Sequence, residues 1–403
     1  MKKKIIIENL DHFGRGVVHI DNIPVFVDGA LSDEEVEIEI TKTKKNYMEG
    51  IVTKRIKDSI DRVKPLCPYY DECGGCDLMH IPYNKQLEFK ENKIKEILKK
   101  FANIENINKI ISTKQYNYRN KITLQVNEKI GLYKKKSYDL VAIDECLITD
   151  NKINNIIKRL KKIDLKNIKQ IVIRATNEVM LIFYIKDKIN EKEIINSFND
   201  LDSIVVIDDK EKVIHGKKYI EEDINNYRFI ISPQSFFQVN FDGMQKLYNK
   251  AIEYANINND NVLDLYCGTG TIGIYASIYA KKVLGIEINQ SAIKDAFINK
   301  EINNINNIDF KVGDVKDLVD KINFKPDIIF VDPPRSGLDS KTTQYLLNIK
   351  ANKIIYISCN PVTLARDLNI LKNKYDVIEV TPVDMFPNTY HVECVVLLQY
   401  KKD

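Results

Sequence analysis

Cys359 lies where two sequence patterns meet, in the segment KIIYISCNPVTLARD at residues 353–367. Residues 354–357 are typical of a buried strand, and the residues from Pro361 onward alternate as in a helix. Proline is preferred at the first position of a helix, so we expect Asn360 to be the N-cap. A thiol just before a helix N-terminus can have a lowered pKa, which favours the nucleophilic thiolate. Cys359 is therefore a candidate nucleophile, and its alternative role is to pack as a small hydrophobic side chain.

A glycine-rich segment, DLYCGTGTIG at residues 264–273, follows one predicted strand and begins a predicted helix. Its residues Gly268, Gly270 and Gly273 have the spacing G-x-G-x-x-G. Such glycines let the backbone turn tightly and approach a nucleotide-like ligand, but sites for NAD, flavins and S-adenosylmethionine share this spacing. The motif alone therefore indicates a nucleotide-like cofactor without selecting one.

Two further motifs end predicted strands and narrow the choice of cofactor. Glu287 ends KKVLGIE, where its carboxylate could accept hydrogen bonds from ribose hydroxyls, and VDPPR occupies residues 331–335. Together with the glycine segment, they resemble class I S-adenosylmethionine-dependent methyltransferases, whereas an NAD site leaves Asp-Pro-Pro unexplained. The alternative is that the glycines serve packing and Asp332 caps a helix. Enzymes of this class that methylate purine amino groups commonly have an aromatic residue where this chain has Arg335, so carbon methylation is favoured.

Glu393 is a candidate base for such a reaction, in FPNTYHVEC at residues 386–394, at the predicted entry to the last strand. A thiolate that adds to C6 of a pyrimidine makes C5 nucleophilic, so that C5 can attack an activated methyl group. A base must then remove the C5 proton before the thiolate can leave. His391 is an alternative base, and Glu393 could also be an ordinary carboxylate at a strand edge.

Three of the seven cysteines, Cys67, Cys73 and Cys76, have the metal-ligand spacing C-x5-C-x2-C. In a chain predicted to be cytosolic, such cysteines are more typical of a metal site or of catalysis than of disulfides. Iron–sulfur clusters usually take four cysteines, and Cys146 is the remaining one outside the predicted catalytic region. His80 is an alternative fourth ligand, and four thiolates also suit zinc.

The composition is that of a globular protein with more than one domain. The chain has 403 residues, of which 44% are hydrophobic, and no apolar run approaches the length that crosses a membrane. The N-terminal MKKKIIIENLDHFGRG lacks the features of a signal peptide, so we expect a cytoplasmic protein. The net charge of +4 is compatible with a nucleic-acid partner but does not establish one.

The predicted elements change character along the chain. Residues 1–57 contain short β-rich runs separated by turn residues, which predict a small five-stranded barrel. Its lysines and Tyr47 suit RNA, and the alternative is a solvated charged face. Residues 117–230 mix strands and helices, whereas strands and helices alternate from Asn261 onward. That alternation predicts a doubly wound, mostly parallel sheet, which the last two runs should close as an antiparallel pair.

Four motifs together resemble the RNA uracil-5-methyltransferase family: SCNP, DPPR, FPxTxHVE, and SFFQVN at residues 235–240. More specifically they resemble its ribosomal-RNA branch, which has an N-terminal TRAM barrel and a 4Fe–4S cluster. The resemblance covers essentially the whole chain. It implies an α/β protein with a Rossmann-like class I methyltransferase domain, an OB-like TRAM barrel and an α+β central domain that carries the cluster. The implied boundaries are 1–57 for TRAM, 58–83 with 110–230 for the central domain, and 84–109 with 231–403 for the methyltransferase domain.

The resemblance also assigns roles to residues of this sequence. It implies Cys359 as the nucleophile and Glu393 as the base. The residues that it implies for S-adenosylmethionine are Gln238, Tyr266, Glu287 and Asp332. It favours a 4Fe–4S cluster over zinc at Cys67, Cys73, Cys76 and Cys146. We expect the cluster to be a scaffold, because methyl transfer needs no electron.

The function that we expect is methylation of C5 of a uridine in 23S rRNA, with no membrane and no protein partner implied. A tRNA T-loop uracil methyltransferase is the alternative within the family. The alternative from another class is an iron–sulfur RNA-binding module that no longer catalyses. The target base should be flipped out of its stack. The side chains that could contact RNA, each of which could instead belong to the core, are Tyr116, Tyr118, Arg119, Lys121, Phe236 and Phe237.

Overall fold

The computed structural model describes residues 2–401, and two compact units divide this part of the chain. The first unit comprises residues 2–93, 133–141 and 386–390, and the second comprises residues 94–132, 142–385 and 391–401. This division into two does not test the three predicted domains, whose boundaries remain a proposal. Among the helices of residues 2–401, none is both long enough and apolar enough to cross a bilayer.

The N-terminal segment of the first unit forms one six-stranded sheet with the order β1-β5-β6-β4-β3-β2. Its strands are β1 (Lys2–Ile6), β2 (Asn9–Leu10), β3 (Gly16–Ile20), β4 (Ile23–Asp28), β5 (Glu35–Thr43) and β6 (Met48–Lys57). Alternate residues such as Val36 and Ile38 of β5 are fully buried and pack on Val25 and Val27, which is the pattern of a strand with one face in the core. The sequence predicted five strands, whereas this sheet has six. The additional strand is β2, which has two residues and is too short to be recognised from the sequence.

A second sheet has seven strands in the order β13-β12-β11-β10-β7-β8-β9 and mixes parallel with antiparallel pairs. Its strands are β7 (Lys121–Val126), β8 (Ile130–Tyr133), β9 (Leu140–Ala142), β10 (Ile168–Ala175), β11 (Val179–Ile185), β12 (Ser203–Ile207) and β13 (Glu211–Gly216). Two further strands, β14 (Ile220–Ile224) and β15 (Tyr227–Ile231), form a hairpin. The helices in this half of the chain are α1 (Tyr83–Ala102), α2 (Asn151–Leu160) and α3 (Glu191–Phe198). The mixed α+β character that was predicted for residues 117–230 is therefore confirmed.

The C-terminal sheet of the second unit has the order β18-β17-β16-β19-β20-β22-β21. Its strands are β16 (Asn261–Leu265), β17 (Lys282–Glu287), β18 (Ile308–Val312), β19 (Ile328–Val331), β20 (Lys353–Ser358), β21 (Tyr375–Val383) and β22 (Glu393–Tyr400). The helices are α4 (Phe241–Ala255), α5 (Thr271–Ser277), α6 (Gln290–Ile302), α7 (Val315–Leu318), α8 (Ser340–Ile349) and α9 (Pro361–Leu371).

The strand directions of this sheet confirm the prediction. The first five strands are parallel, and β21 and β22 close the sheet as an antiparallel pair beside β20. Strands that are covered on both faces are apolar throughout, and all four residues of β19 are buried. Strand order and direction place the carboxyl ends of β16, β17, β19 and β20 along one edge, which is where ligands of such sheets bind.

Candidate active site

Cys359 and Glu393 come together at the carboxyl edge of the C-terminal sheet. Cys359 directly follows β20, and Glu393 is the first residue of β22, which runs antiparallel to β20. Ser358 of β20 pairs with Cys394 of β22. Because the two strands are antiparallel, the next pair towards the carboxyl edge of the sheet consists of Cys359 and Glu393. The two groups that the sequence predicted as nucleophile and base are therefore neighbours.

The helix start after Cys359 is as predicted. Asn360 is the N-cap of α9, its side chain accepts a hydrogen bond from the amide of Val362 at 3.1 Å, and Pro361 occupies the first helical position. The Asn360 side-chain amide also donates to the carbonyl oxygen of Arg335 at 2.9 Å. The N-cap thus connects the end of β20 with the turn that follows β19.

The expected lowering of the Cys359 pKa is wrong. Burial raises the pKa of the thiol, the negative charges of Glu393 and Asp332 raise it further, and Arg335 acts in the opposite direction. A helix N-terminus favours a thiolate, but desolvation and two nearby carboxylates disfavour it more strongly. Formation of the Cys359 thiolate is therefore disfavoured relative to that of a solvent-exposed cysteine.

The two carboxyl groups beside Cys359 also have raised pKa values. Glu393 is 5% exposed, and burial, followed by the charge of Asp332, raises its pKa to about 8, whereas Arg335 opposes the shift. Burial raises the pKa of Asp332 to about 7. Glu393 is therefore mainly protonated below about pH 8 and becomes able to accept a proton as the pH rises through that value. A base with a pKa near the working pH is suited to proton abstraction.

The glycine-rich turn is shaped for a ligand. Gly268 and Gly270 have φ angles of +55° and +79°, in the left-handed region that favours glycine. A Cβ on Gly270 would lie 2.7 Å from the ring of Phe310, whereas the space beside Gly268 is open. Asp264 accepts the amide of Gly273 at 2.9 Å, and its other oxygen is buried without a hydrogen-bond partner in residues 2–401. The unpartnered Asp264 oxygen, close to an open turn, fits a ligand that donates a hydrogen bond to it.

Glu287 lies beside this turn, as its position at the end of β17 predicted. One carboxylate oxygen accepts the amide of Gly268 at 3.1 Å, and the other accepts the amide of Asn289 at 2.8 Å. Because each carboxylate oxygen can accept a second hydrogen bond, the group keeps the capacity to bind hydroxyls. The nearby Tyr266 has a φ of +65°, and burial raises the pKa of its hydroxyl to about 12.

Gln238 is linked through Tyr248 to Asp332 and Glu393, the two carboxyl groups that act on Cys359. Asn120 donates to the carbonyl oxygens of Val239 at 2.8 Å and Gln238 at 3.1 Å, which fixes the segment that precedes α4. The side chain of Gln238 is hydrogen-bonded to the hydroxyl of Tyr248, whose pKa is raised by burial and by the charges of Asp332 and Glu393. Gln238 thus belongs to the group of side chains around Cys359.

Sequence reasoning missed Asp264 and Tyr248. Asp264 precedes the glycine motif by four residues and is 1% exposed, and a carboxylate inside an apolar strand was the available signal. Tyr248 lies on the buried face of α4, but its partners come from other elements, so the sequence gives no sign of its position.

The predicted metal site is not supported. In residues 2–401, no group of three or more His, Cys, Asp or Glu side chains is placed to hold a metal ion. Cys67, Cys73 and Cys76 belong to the first unit and Cys146 to the second. His80, the alternative ligand, is hydrogen-bonded through Nδ1 to the hydroxyl of Tyr70.

The expected RNA contacts divide into core and accessible residues. Tyr118 and Phe237 are 5% and 6% exposed and are core residues, whereas Phe236 is 69% exposed. Tyr116, Arg119 and Lys121 are partly exposed. Arg174, which sequence reasoning did not single out, pairs in register with Lys121 and is 4% exposed. Burial and the charges of Arg174 and Arg119 lower the pKa of Lys121 to about 8.

The sheet order, the glycine turn and the acidic strand ends define a class I methyltransferase domain. Comparison with known proteins specifies the family. The sequence model of the tRNA (Uracil-5-)-methyltransferase family matches residues 82–401, and that of the TRAM domain matches residues 2–53. The chain therefore belongs to the uracil-5-methyltransferase family and has an N-terminal TRAM domain.

Individual relatives agree with this assignment. An RNA methyltransferase of Clostridium tetani is 38% identical over 97% of this chain and 94% of its own length. One of Staphylococcus aureus is 39% identical over 98% of this chain and 97% of its own length. Among solved structures, the Pyrococcus abyssi tRNA (uracil-54, C5)-methyltransferase in complex with S-adenosyl-L-homocysteine is 32% identical and has a TM-score of 0.83, covering 98% of this chain and 99% of that one.

Proposed function

We propose that this protein methylates C5 of a specific uridine in 23S rRNA, with Cys359 as the nucleophile and Glu393 as the base. The observation that carries the proposal is the pairing at the sheet edge, where Cys359 and Glu393 follow the paired residues Ser358 and Cys394. A thiol and a base in direct proximity are what C5 methylation of uracil requires. A protein that only bound RNA would need neither group at this place.

We assign S-adenosylmethionine to the carboxyl edge beside these two residues. Support comes from the open turn at Gly268, the unpartnered oxygen of Asp264 and the S-adenosyl-L-homocysteine bound by the Pyrococcus relative. When bound, this cofactor supplies an electrophilic methyl group. The residues that we assign to it are Gln238, Tyr266, Glu287 and Asp332. Glu287 would accept hydrogen bonds from the ribose hydroxyls, since its carboxylate already faces the glycine turn.

In the proposed reaction, Cys359 forms and later breaks a bond to the uracil ring, and Glu393 accepts a proton from it. Sγ of Cys359 forms a bond to C6 of uracil, and the electron pair of the C5–C6 double bond moves towards C5 and O4. With S-adenosylmethionine bound, C5 would take its methyl group, and the electron pair of the broken methyl–sulfur bond would remain on the sulfur of the cofactor. Glu393 accepts the C5 proton, the C5–C6 double bond forms again, and Cys359 leaves as a thiolate. Cys359 thus ends as a thiolate, ready for the next cycle, and Glu393 ends protonated and must release the proton to solvent before it can act as a base again.

The RNA should approach on the side of Phe236 and the nearby cations. Arg119 and Lys121 are partly exposed, and positive side chains of this kind suit a phosphate backbone. Phe236 is the exposed aromatic residue of the segment that carries Gln238. When the target uridine is flipped out of its stack, an exposed ring at this place could stack on an RNA base.

The two candidate substrates are 23S rRNA and tRNA. The resemblance to the ribosomal-RNA branch supports rRNA, whereas the Pyrococcus relative is named for uracil 54 of tRNA and supports the alternative. We expect a strain that lacks the gene to lose 5-methyluridine from 23S rRNA and to keep it in tRNA, as mapped by mass spectrometry of nuclease fragments. Loss from tRNA alone would overturn the rRNA assignment. Both RNAs are cytoplasmic, so we place the enzyme in the cytoplasm.

A 4Fe–4S cluster on Cys67, Cys73, Cys76 and Cys146 remains a separate proposal, which rests on the cysteine spacing and on the family resemblance. We expect protein purified without oxygen to contain about four iron atoms per chain. Cys67→Ala should lose the iron and weaken RNA binding, while leaving cofactor binding in the methyltransferase domain unchanged. Iron-free protein with full activity, or zinc in place of iron, would contradict the proposal.

A further inference from the structure

Helix α6 contacts both parts of the proposed cofactor site, the carboxylate of Glu287 and the glycine-rich turn. The helix begins after its N-cap residue Asn289, whose backbone amide donates to the Glu287 carboxylate at 2.8 Å. Further along the helix, Ala296 is fully buried, and a Cβ on Gly270 would lie 3.2 Å from the Ala296 Cβ. The helix therefore packs directly on the turn, and the residues of α6 can act on its conformation.

Asn299 connects α6 to the backbone of the turn. Its side chain is fully buried, and its amide group donates a hydrogen bond to the carbonyl oxygen of Thr269 at 3.1 Å. Thr269 lies between Gly268 and Gly270, whose φ angles are both in the left-handed region. The amide of Gly270, in the same peptide unit as that carbonyl, donates to Cys267 at 2.9 Å. Both polar atoms of this peptide unit are thus bonded, one of them to α6.

A row of hydrogen bonds along β15 holds Asn299 in turn. Its side-chain oxygen accepts the backbone amide of Ile230 at 2.7 Å. Asn303, one helical turn later, accepts the amide of Arg228 at 2.8 Å and donates to the carbonyl oxygen of Arg228 at 2.7 Å. The opposite edge of β15 pairs with β14, so α6 serves the second edge of this strand. The side-chain amide of Asn299 therefore bonds on one side to β15 and on the other to the turn.

A hydrogen bond to this turn has a specific use. Glycines on both sides of Thr269 give the backbone more conformations than other residues would. A turn that changes conformation freely must be ordered when a ligand binds, which weakens binding, whereas a turn that is already ordered avoids this cost. Thr269 is 4% exposed, so its carbonyl oxygen would have little access to water if Asn299 were removed.

We propose that Asn299 is a positioning residue for the cofactor site: its side-chain amide, held against β15, fixes the Thr269 carbonyl and so orders the turn between Gly268 and Gly270 for S-adenosylmethionine. The proposal rests on the proposed function in that it places the cofactor at this turn. Its test measures ligand binding without RNA, so the two can fail separately.

The test is calorimetric titration of the full-length protein with S-adenosyl-L-homocysteine, which gives the dissociation constant and the number of binding sites separately. In Asn299→Ala we expect the dissociation constant to rise about tenfold, with the number of sites unchanged, because the buried Thr269 carbonyl loses its hydrogen-bond donor. Asn299→Leu, which fills the space with an apolar side chain, should give a similar rise and guards against a variant that fails to fold.

Asn303→Ala is the matched control. It removes hydrogen bonds to the same strand, at Arg228, but leaves the bond between Asn299 and the turn in place. Asn299→Ala and Asn303→Ala should both unfold at a lower temperature than the unaltered protein, since each leaves backbone groups of β15 without their partners. The dissociation constant of Asn303→Ala should nevertheless stay within about twofold of the unaltered protein.

An unchanged dissociation constant in Asn299→Ala and Asn299→Leu would overturn the proposal. A fall in the number of sites at an unchanged dissociation constant would also overturn it, because Asn299 would then support the fold alone. An equal rise in Asn303→Ala would assign the effect to β15 and overturn it as well. If the Asn299 variants bind more weakly as expected but the unaltered protein methylates no uridine in any RNA, the role of Asn299 stands and the proposed function fails.

Discussion

Replacing Cys359 with alanine should reduce RNA methylation by about 10⁴-fold or more, because the uracil ring is then not activated for attack by C5. Losses of this size are typical when the nucleophile of a covalent mechanism is removed. The measurement is the initial rate of transfer of a labelled methyl group to RNA transcripts under single-turnover conditions. Cys359→Ser, which keeps the volume and replaces the thiol by a much weaker nucleophile, should lose nearly as much.

The controls separate a chemical defect from a binding defect. S-adenosyl-L-homocysteine should bind to Cys359→Ala with an affinity within about threefold of the unaltered protein, because the ligand contacts that we propose for Asp264 and Glu287 do not involve the thiol. If Cys359→Ala still methylates RNA within tenfold of the normal rate, the residue packs in the protein and is not the nucleophile.

Glu393→Gln should trap a covalent RNA–protein complex. The amide has nearly the same shape as the acid but cannot accept the C5 proton, so Cys359 adds to C6 and the methyl group is transferred, but the thiolate cannot leave. We expect a stable complex of reduced mobility in denaturing gels, formed in proportion to the cofactor supplied, while turnover falls by about 10²- to 10⁴-fold.

The double variant Cys359→Ala with Glu393→Gln is the control and should form no complex, since the bond to RNA requires the thiol. Normal turnover by Glu393→Gln would mean that another group is the base, and His391 is the residue to test next. A complex that forms without cofactor and does not depend on Cys359 would point to a different covalent chemistry.

The C-terminal fold could be predicted from the sequence because its signals are local. Each strand from β16 to β20 is short and contains several apolar residues, each is followed by a helix, and the carboxyl ends of parallel strands must meet at one edge. That rule alone brings Asp332 and Cys359 to the same edge. The antiparallel return of β22 then adds Glu393, which the short connection between the last two runs already indicated.

The parts that the sequence did not reveal depend on contacts between distant segments. The pKa of Cys359 follows from burial and from charges on two other strands, so a helix N-terminus alone gave the wrong direction. Tyr248 meets Gln238 only after α4 packs, and Lys121 meets Arg174 only through strand register. The cysteine spacing gave a metal prediction that the arrangement of residues 2–401 does not support, because spacing does not determine where side chains lie.

The most direct test of the central claim is tritium release from RNA that carries tritiated uridine at C5. We expect one tritium to be released for each methyl group transferred, with the cofactor and intact Cys359 both required, because the proton at C5 must leave before the thiolate does. Transfer of methyl groups to RNA without release of tritium would contradict the account, since the methyl group would then be attached to an atom other than C5.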